Sequence, residues 1–373
     1  MLPVYSPESH SLYQDFFISN FLLYYPDPFS ISRQTWKIIV QFWHLDLSQT
    51  TSILLGSYSK FGPAPRDPVS MLRSYLLSIK LKITSITDWV SRLKECPLYA
   101  IISGFYPDDV PGIGTFYDFF RHIWNSEQKH LSVQLRHKKK KIYMFVASDS
   151  ANDLPVFPIL ERASRHDMLS FLHTFFTMKT WLPEYRVTKL LLDAAHDADA
   201  VYRYCQESGI QPFIDLNSGN TGNFIYKDTF TINNDGVPVC KLGLHMKPDG
   251  VERNRNRCKW RCPKADRSGC HCETPCSDSS YGRVVHTPVK DNPRLFNIPP
   301  GNSLEWDKEY DRRASVERSN KREKEDYKLE DGRHRSSMMW YCRLYCTMMM
   351  LQHLDAWEMP SIEAFQSLLS LDA

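Results

Sequence analysis

The chain has 373 residues, 42% of them hydrophobic and 24% charged, an ordinary balance for a globular protein with room for two or three domains. Its formal charge is only +3, so bulk charge does not announce a nucleic-acid partner. No uninterrupted apolar run approaches bilayer-spanning length, and no membrane partner is expected. The opening Met1-Leu-Pro-Val-Tyr-Ser-Pro-Glu8 lacks the basic start and apolar core of an export signal, which predicts a cytoplasmic protein. Basic residues gather at 136–141, 253–267 and 312–324, so charge distribution says more than the total.

Residues 1–128 read as an all-helical domain. Apolar residues recur at helical spacing over 30–43. The turn Gly62-Pro-Ala-Pro-Arg-Asp67-Pro68 stops one helix and starts the next, with Asp67 as N-cap and Pro68 in the first helical position, and that helix continues through 71–81. Further helices are predicted over 84–93 and, after Pro111-Gly-Ile-Gly114, over 115–124. Residues 129–141 form a basic linker in which Lys138, Lys139 and Lys140 are candidate phosphate contacts, adding affinity that is salt-dependent and indifferent to sequence.

From 142 onward the pattern becomes α/β. The short apolar run 142–147 is a buried strand and 168–178 a helix. A strand over 187–192, a helix over 198–207 and a strand over 211–216 make a βαβ unit. Asp193 stands at the carboxyl end of the first of these strands, where open α/β sheets place their chemistry. Asp197 reads as the N-cap of the following helix. A hairpin turning on Asp235-Gly236 is expected within 230–239.

Six of the ten cysteines crowd into 240–276, with His245 and His271 among them. Cys258-x-x-x-Cys262 and Cys272-x-x-x-Cys276 can each clamp one side of a tetrahedral Zn²⁺. Cys240, Cys258, Cys262 and Cys276 are the first choice of ligands, with Cys270 and Cys272 as the alternatives; six thiols could also hold two metals. A reduced intracellular protein suits this density better than a disulfide framework. The interleaved basic residues of 253–261 suggest an insert that touches DNA.

A polar helix is then predicted from Tyr310. At roughly 100° per residue, Tyr310, Arg313, Glu317 and Lys324 fall within an arc of about 60°, presenting a phenol, a guanidinium, a carboxylate and an ammonium on one face. The Met- and aromatic-rich stretch 336–357 reads as a core helix covering the sheet.

The spacing Tyr310-x2-Arg313-x3-Glu317-x6-Lys324, with Asp193-Ala-Ala-His196-Asp197 upstream, resembles the Y–R–E–K signature of insertion-sequence DDE transposases. The resemblance covers roughly 30–357 and implies a ribonuclease-H-like core, split as 142–218 and 301–357 around a cysteine-rich insertion at 219–300, with a tail at 358–373. It implies that Asp193 and Glu317 are two of three catalytic carboxylates holding Mg²⁺ or Mn²⁺, and that Tyr310, Arg313 and Lys324 meet DNA. The partners it implies are element terminal inverted repeats and target DNA, with a homo-oligomer on DNA and a nucleoid-associated location. The first carboxylate belongs on a strand before 142–147, yet 125–141 contains no Asp, as if the chain were internally shortened. Asp149 is the candidate substitute. A non-catalytic, zinc-containing DNA-binding protein is the alternative reading.

Overall fold

The computed structural model describes residues 9–371 apart from 28–30, 60–63, 132–141, 163–166, 218, 220–223, 227–229, 267, 302, 332–335 and 356–360. Helix and small sheets are mixed, in agreement with an α/β reading. The chain divides into two compact units, residues 1–164 with 315–373, and residues 165–314.

The first unit is built on seven helices in sequence: α1 His10–Tyr24, α2 Arg33–His44, α3 Thr51–Leu55, α4 Pro68–Lys80, α5 Ile86–Glu95, α6 Pro97–Ser103 and α7 Ile113–Leu131. The turn before α4 behaves as its sequence predicts: the Asp67 carboxylate accepts from the Ser70 N–H at 2.7 Å and Pro68 opens the helix. From Pro68 to Ile79 every residue of α4 is buried, so its polar side chains need internal partners. Ser74 accepts from the Trp89 indole N–H at 3.0 Å, and the Arg73 guanidinium lies 3.5 Å from the centroid of the Tyr13 ring.

The same unit contains an antiparallel hairpin, β1 Ile142–Asp149 and β2 Leu154–Arg162. Asp153 adopts a left-handed φ of 55° at its turn, a conformation that Asp tolerates better than most residues. Later helices complete the unit: α11 Ala314–Lys321, α12 Ser337–Met349 and α13 Ile362–Leu371. α12 is the predicted core helix, packed on α4, α7 and β2. Its Arg343, 1% exposed, survives there because its Nη atoms donate to the carbonyls of Ile83 and Tyr327, both at 2.9 Å. Leu160 of β2 belongs to one apolar core with these helices, which moves 142–162 out of the expected catalytic segment and into the helical unit.

The second unit opens with α8 Asp167–Trp181, then β3 Lys189–Leu192, α9 Asp199–Ser208 and β4 Gln211–Ile214. β3 and β4 pair in parallel with Leu192 opposite Ile214, the predicted βαβ unit. The hairpin on Asp235-Gly236 also forms: β5 Phe224–Tyr226, β6 Phe230–Ile232 and β7 Pro238–Val239 make one antiparallel sheet. Only glycine fits at 236, where φ is 77° and a Cβ would come within 2.2 Å of the Leu295 carbonyl oxygen. A second sheet, in the order β12-β9-β8, joins β8 Lys247–Glu252, β9 Arg257–Arg261 and β12 Val284–Pro288. Between β9 and β12 lies the small hairpin of β10 Ala265–Asp266 and β11 Gly269–Cys270. Helix α10 Leu304–Tyr310 ends the unit.

Candidate functional site

The carboxyl ends of β3 and β4 carry Asp193 and Asp215, each one residue past the paired Leu192 and Ile214. Both are exposed. The ladder extends to them through the Asp215 N–H, which donates to the Leu192 carbonyl at 3.2 Å. Asp193 Oδ1 accepts from the Ala195 N–H at 3.2 Å and lies 2.8 Å from His196 Nδ1. His196 is buried against the edge of Phe171, so its ring is held in place beside the carboxylate.

α10 delivers Tyr310 to this pair of strand ends. Lys189 of β3 bridges to Glu309 at 2.7 Å, Phe213 of β4 packs on Trp306 with ring centroids 6.2 Å apart, and Trp306 stacks on Tyr310 at 4.7 Å. Burial pushes the Tyr310 phenol up, and the negative charges of Asp215 and Asp193 add to that, while a hydrogen bond from Arg313 opposes it. Asp193, Asp215 and Arg313 therefore all act on Tyr310. Asp215 escaped the sequence reading; its signal was its position, one step past the end of the strand parallel to β3.

The segment 304–326 is not one regular helix. After α10 the chain takes a 3₁₀ turn over Asp311–Arg313, then α11, then a π turn over Arg322–Asp326. A phase of 100° per residue therefore does not apply from Tyr310 to Lys324, because 3₁₀ turns wind tighter and π turns wider. Tyr310 and Arg313 belong to the second unit, Glu317 and Lys324 to the first. Glu317 is exposed on α11, and Lys324 pairs with Glu330 at 2.9 Å. Next to Glu317, Arg318 grips Asp153 of the β1–β2 turn through two bonds of 2.7 and 2.8 Å, holding that carboxyl below its usual range.

Asp149 opens the same turn, and its carboxylate is engaged there. Oδ1 accepts from the Ala151 N–H at 3.0 Å and Oδ2 from the Asn152 amide at 2.6 Å. Lys138, Lys139 and Lys140 lie outside the described residues.

Asp197 is not an N-cap. Ala198 occupies the cap of α9 and makes no side-chain bond, while the Asp197 side chain is fully buried. It accepts from Arg294 Nε at 2.8 Å and Nη2 at 2.6 Å, from the Tyr202 hydroxyl at 3.1 Å and from the Asn217 N–H at 2.8 Å. The reason is distant in sequence: a guanidinium 97 residues downstream outcompetes a local amide.

The basic residues of 253–261 are largely matched by acids of their own unit. Arg257 pairs with Glu252 at 2.8 Å, Lys259 with Asp249 at 2.8 Å and Arg253 with Glu305 at 3.2 Å. The Arg261 guanidinium lies over the Tyr281 ring, 3.7 Å from its centroid. Positive charge so neutralised is poorly placed to drive phosphate binding.

All ten cysteines are free of disulfides. Cys258 faces away from the cluster: it is buried in an apolar core with Trp260 and Phe296, donates to the Asn297 carbonyl at 3.3 Å, and is pushed up to about 11 by burial. Cys240, Cys262, Cys272 and Cys276 line one cavity with Lys241 and Lys264, and Cys270 hydrogen-bonds with Cys262. His271 is turned to Asp266 and Ser268, both at 3.0 Å. Among the described residues no three His, Cys, Asp or Glu side chains are placed to hold a metal ion as they stand. Among the same residues no helix is long and apolar enough to cross a membrane.

In comparison with known proteins, no family model, curated protein or solved structure matches the chain.

Proposed function

We propose that this chain is a DNA-acting protein of the DDE transposase type, in which a ribonuclease-H-like core uses Asp193 and Glu317 to hold Mg²⁺ or Mn²⁺. The supporting observation is the strand-end site itself: Asp193 ends a parallel strand beside Asp215, with Tyr310 and Arg313 at hand. Exposed carboxylates at 193 and 215 suit a hard cation that keeps water and phosphate among its ligands. A divalent ion held there would supply Lewis-acid stabilisation for in-line attack on a phosphodiester. Asp149 does not fit the third position, because its two oxygens close their own turn.

In this reading His196 orients Asp193 through the 2.8 Å contact, Arg313 clamps a phosphate, and Tyr310 stacks on or hydrogen-bonds to a displaced strand. Substrates are element ends and target DNA, bound by a homo-oligomer in the cytoplasm at the nucleoid. The test is nicking of a supercoiled plasmid by the purified full chain with Mg²⁺ or Mn²⁺. Asp193→Asn and Glu317→Gln are each expected to abolish nicking, as is EDTA. Nicking that survives both substitutions removes the proposal.

One observation favours a second reading, a zinc-containing DNA-binding protein without catalysis: 125–141 contains no Asp to serve as the first carboxylate. Salt-sensitive DNA retention with no nicking at any metal concentration would select it.

A further inference from the structure

We infer that Cys240, Cys262, Cys272 and Cys276 form a structural zinc site, and that Cys258 is not part of it. Four thiols around one cavity match the four ligands that a closed structural zinc centre requires. The backbone holds two of these cysteines in tight turns. Cys240 opens a tight turn in which the Gly243 N–H donates to the Cys240 carbonyl at 2.9 Å. Cys262 opens another, in which the Ala265 N–H donates to the Cys262 carbonyl at 3.2 Å. The Lys264 N–H also donates to the Cys262 side chain. At Cys262 the turn therefore aims one amide hydrogen at the sulfur, which favours a thiolate there and fixes its direction.

The packing around Cys262 is equally specific. Gly282, at φ 80°, lets the strand leading into β12 close on this turn; a Cβ there would stand 2.7 Å from that of Ala265 and 3.0 Å from that of Cys262. The Cys272 Sγ already faces the Thr274 carbonyl at 3.4 Å, on the short segment that leads to Cys276. Four thiolates with one Zn²⁺ leave a doubly anionic centre, and Lys241 and Lys264 on the cavity wall offset that charge. On binding, each thiol gives its proton to solvent, no oxidant is needed, and the cavity walls draw in to Zn–S bonds of about 2.3 Å. Cys270 hydrogen-bonds to Cys262 but is not among the residues lining the cavity, so it orients that ligand without replacing it. The site joins the β7–β8 turn to the β9–β12 excursion, two stretches built on short strands. It is independent of any reading of the strand-end carboxylates.

The experiment is metal analysis of the full chain purified without added metal, followed by replacement of bound zinc with Co²⁺. The expected result is about one zinc per chain. The cobalt form is expected to show the strong visible bands of tetrahedral coordination and sulfur-to-cobalt charge transfer. Cys240→Ser and Cys276→Ser lose the metal, or shift the cobalt bands to those of a three-sulfur site. Cys258→Ala and Cys270→Ser keep both metal and spectrum. A chain that purifies without zinc and gives no charge-transfer band overturns the site, as does loss of metal in Cys258→Ala with retention in Cys240→Ser. Because the cobalt spectrum of the unsubstituted chain counts sulfur ligands, the outcome stands even where a variant fails to fold.

Discussion

Among the described residues two regions bury a carboxylate, and they solve the problem in opposite ways. At the β3–α9 junction, Asp197 is surrounded by donors: a bidentate guanidinium, a phenol and a backbone amide. In the π turn after α11, Glu323 has 0% exposure, accepts at Oε1 from the Ser319 hydroxyl at 3.3 Å, and among the described residues its Oε2 has no hydrogen-bond partner. The first region pairs its carboxylate with a guanidinium. The second favours the neutral acid: burial pushes Glu323 up to about 7. A buried acid is thus no index of function by itself; what matters is whether its partners stabilise the ion or the neutral acid.

The largest test of this contrast is Asp197→Ala. It strands the Arg294 guanidinium in a part-buried site and should cost about 3–5 kcal/mol of stability in urea denaturation. A midpoint that barely moves would mean that the four bonds do not hold this junction together. Next comes Glu323→Gln. The folded value near 7 lies above the ordinary 4.5, so the folded state binds the proton more tightly. Its favourable contribution is complete below pH 4.5 and lost as pH rises through 7. The Gln variant, permanently neutral, should flatten that stretch of the stability–pH curve and exceed the unsubstituted chain above pH 7 by on the order of 2–3 kcal/mol. Equal pH curves for the two proteins would show that Glu323 reaches solvent. The smallest effect belongs to Arg318→Ala, which removes the exposed grip on Asp153 and should move the midpoint by much less than either buried change.

Sequence patterns foretold the elements well where the cause was local. The Asp67-Pro68 start of α4, the βαβ unit and the Asp235-Gly236 hairpin all formed as expected, because a cap, an apolar run and a turn dipeptide act within a few residues. β2 went unread: its prolines at 155 and 158 obscured a strand that pairs only with β1. The polar stretch from Tyr310 was legible as helical but not as a succession of α, 3₁₀ and π turns, since hydrogen-bond pitch is settled by packing.

By itself the sequence determined which residues are chemically able: Asp193 at a strand end, Tyr310 and Arg313 downstream, and a dense set of thiols. Tertiary structure decided which of them meet. Asp197 became a buried anchor and Asp149 a turn closer, while Asp215 joined Asp193. Cys258 left the cysteine cluster for an apolar core. The physical reason is common to all four. A polar atom is committed by the strongest partner that reaches it, and that partner comes from wherever the fold brings the chain.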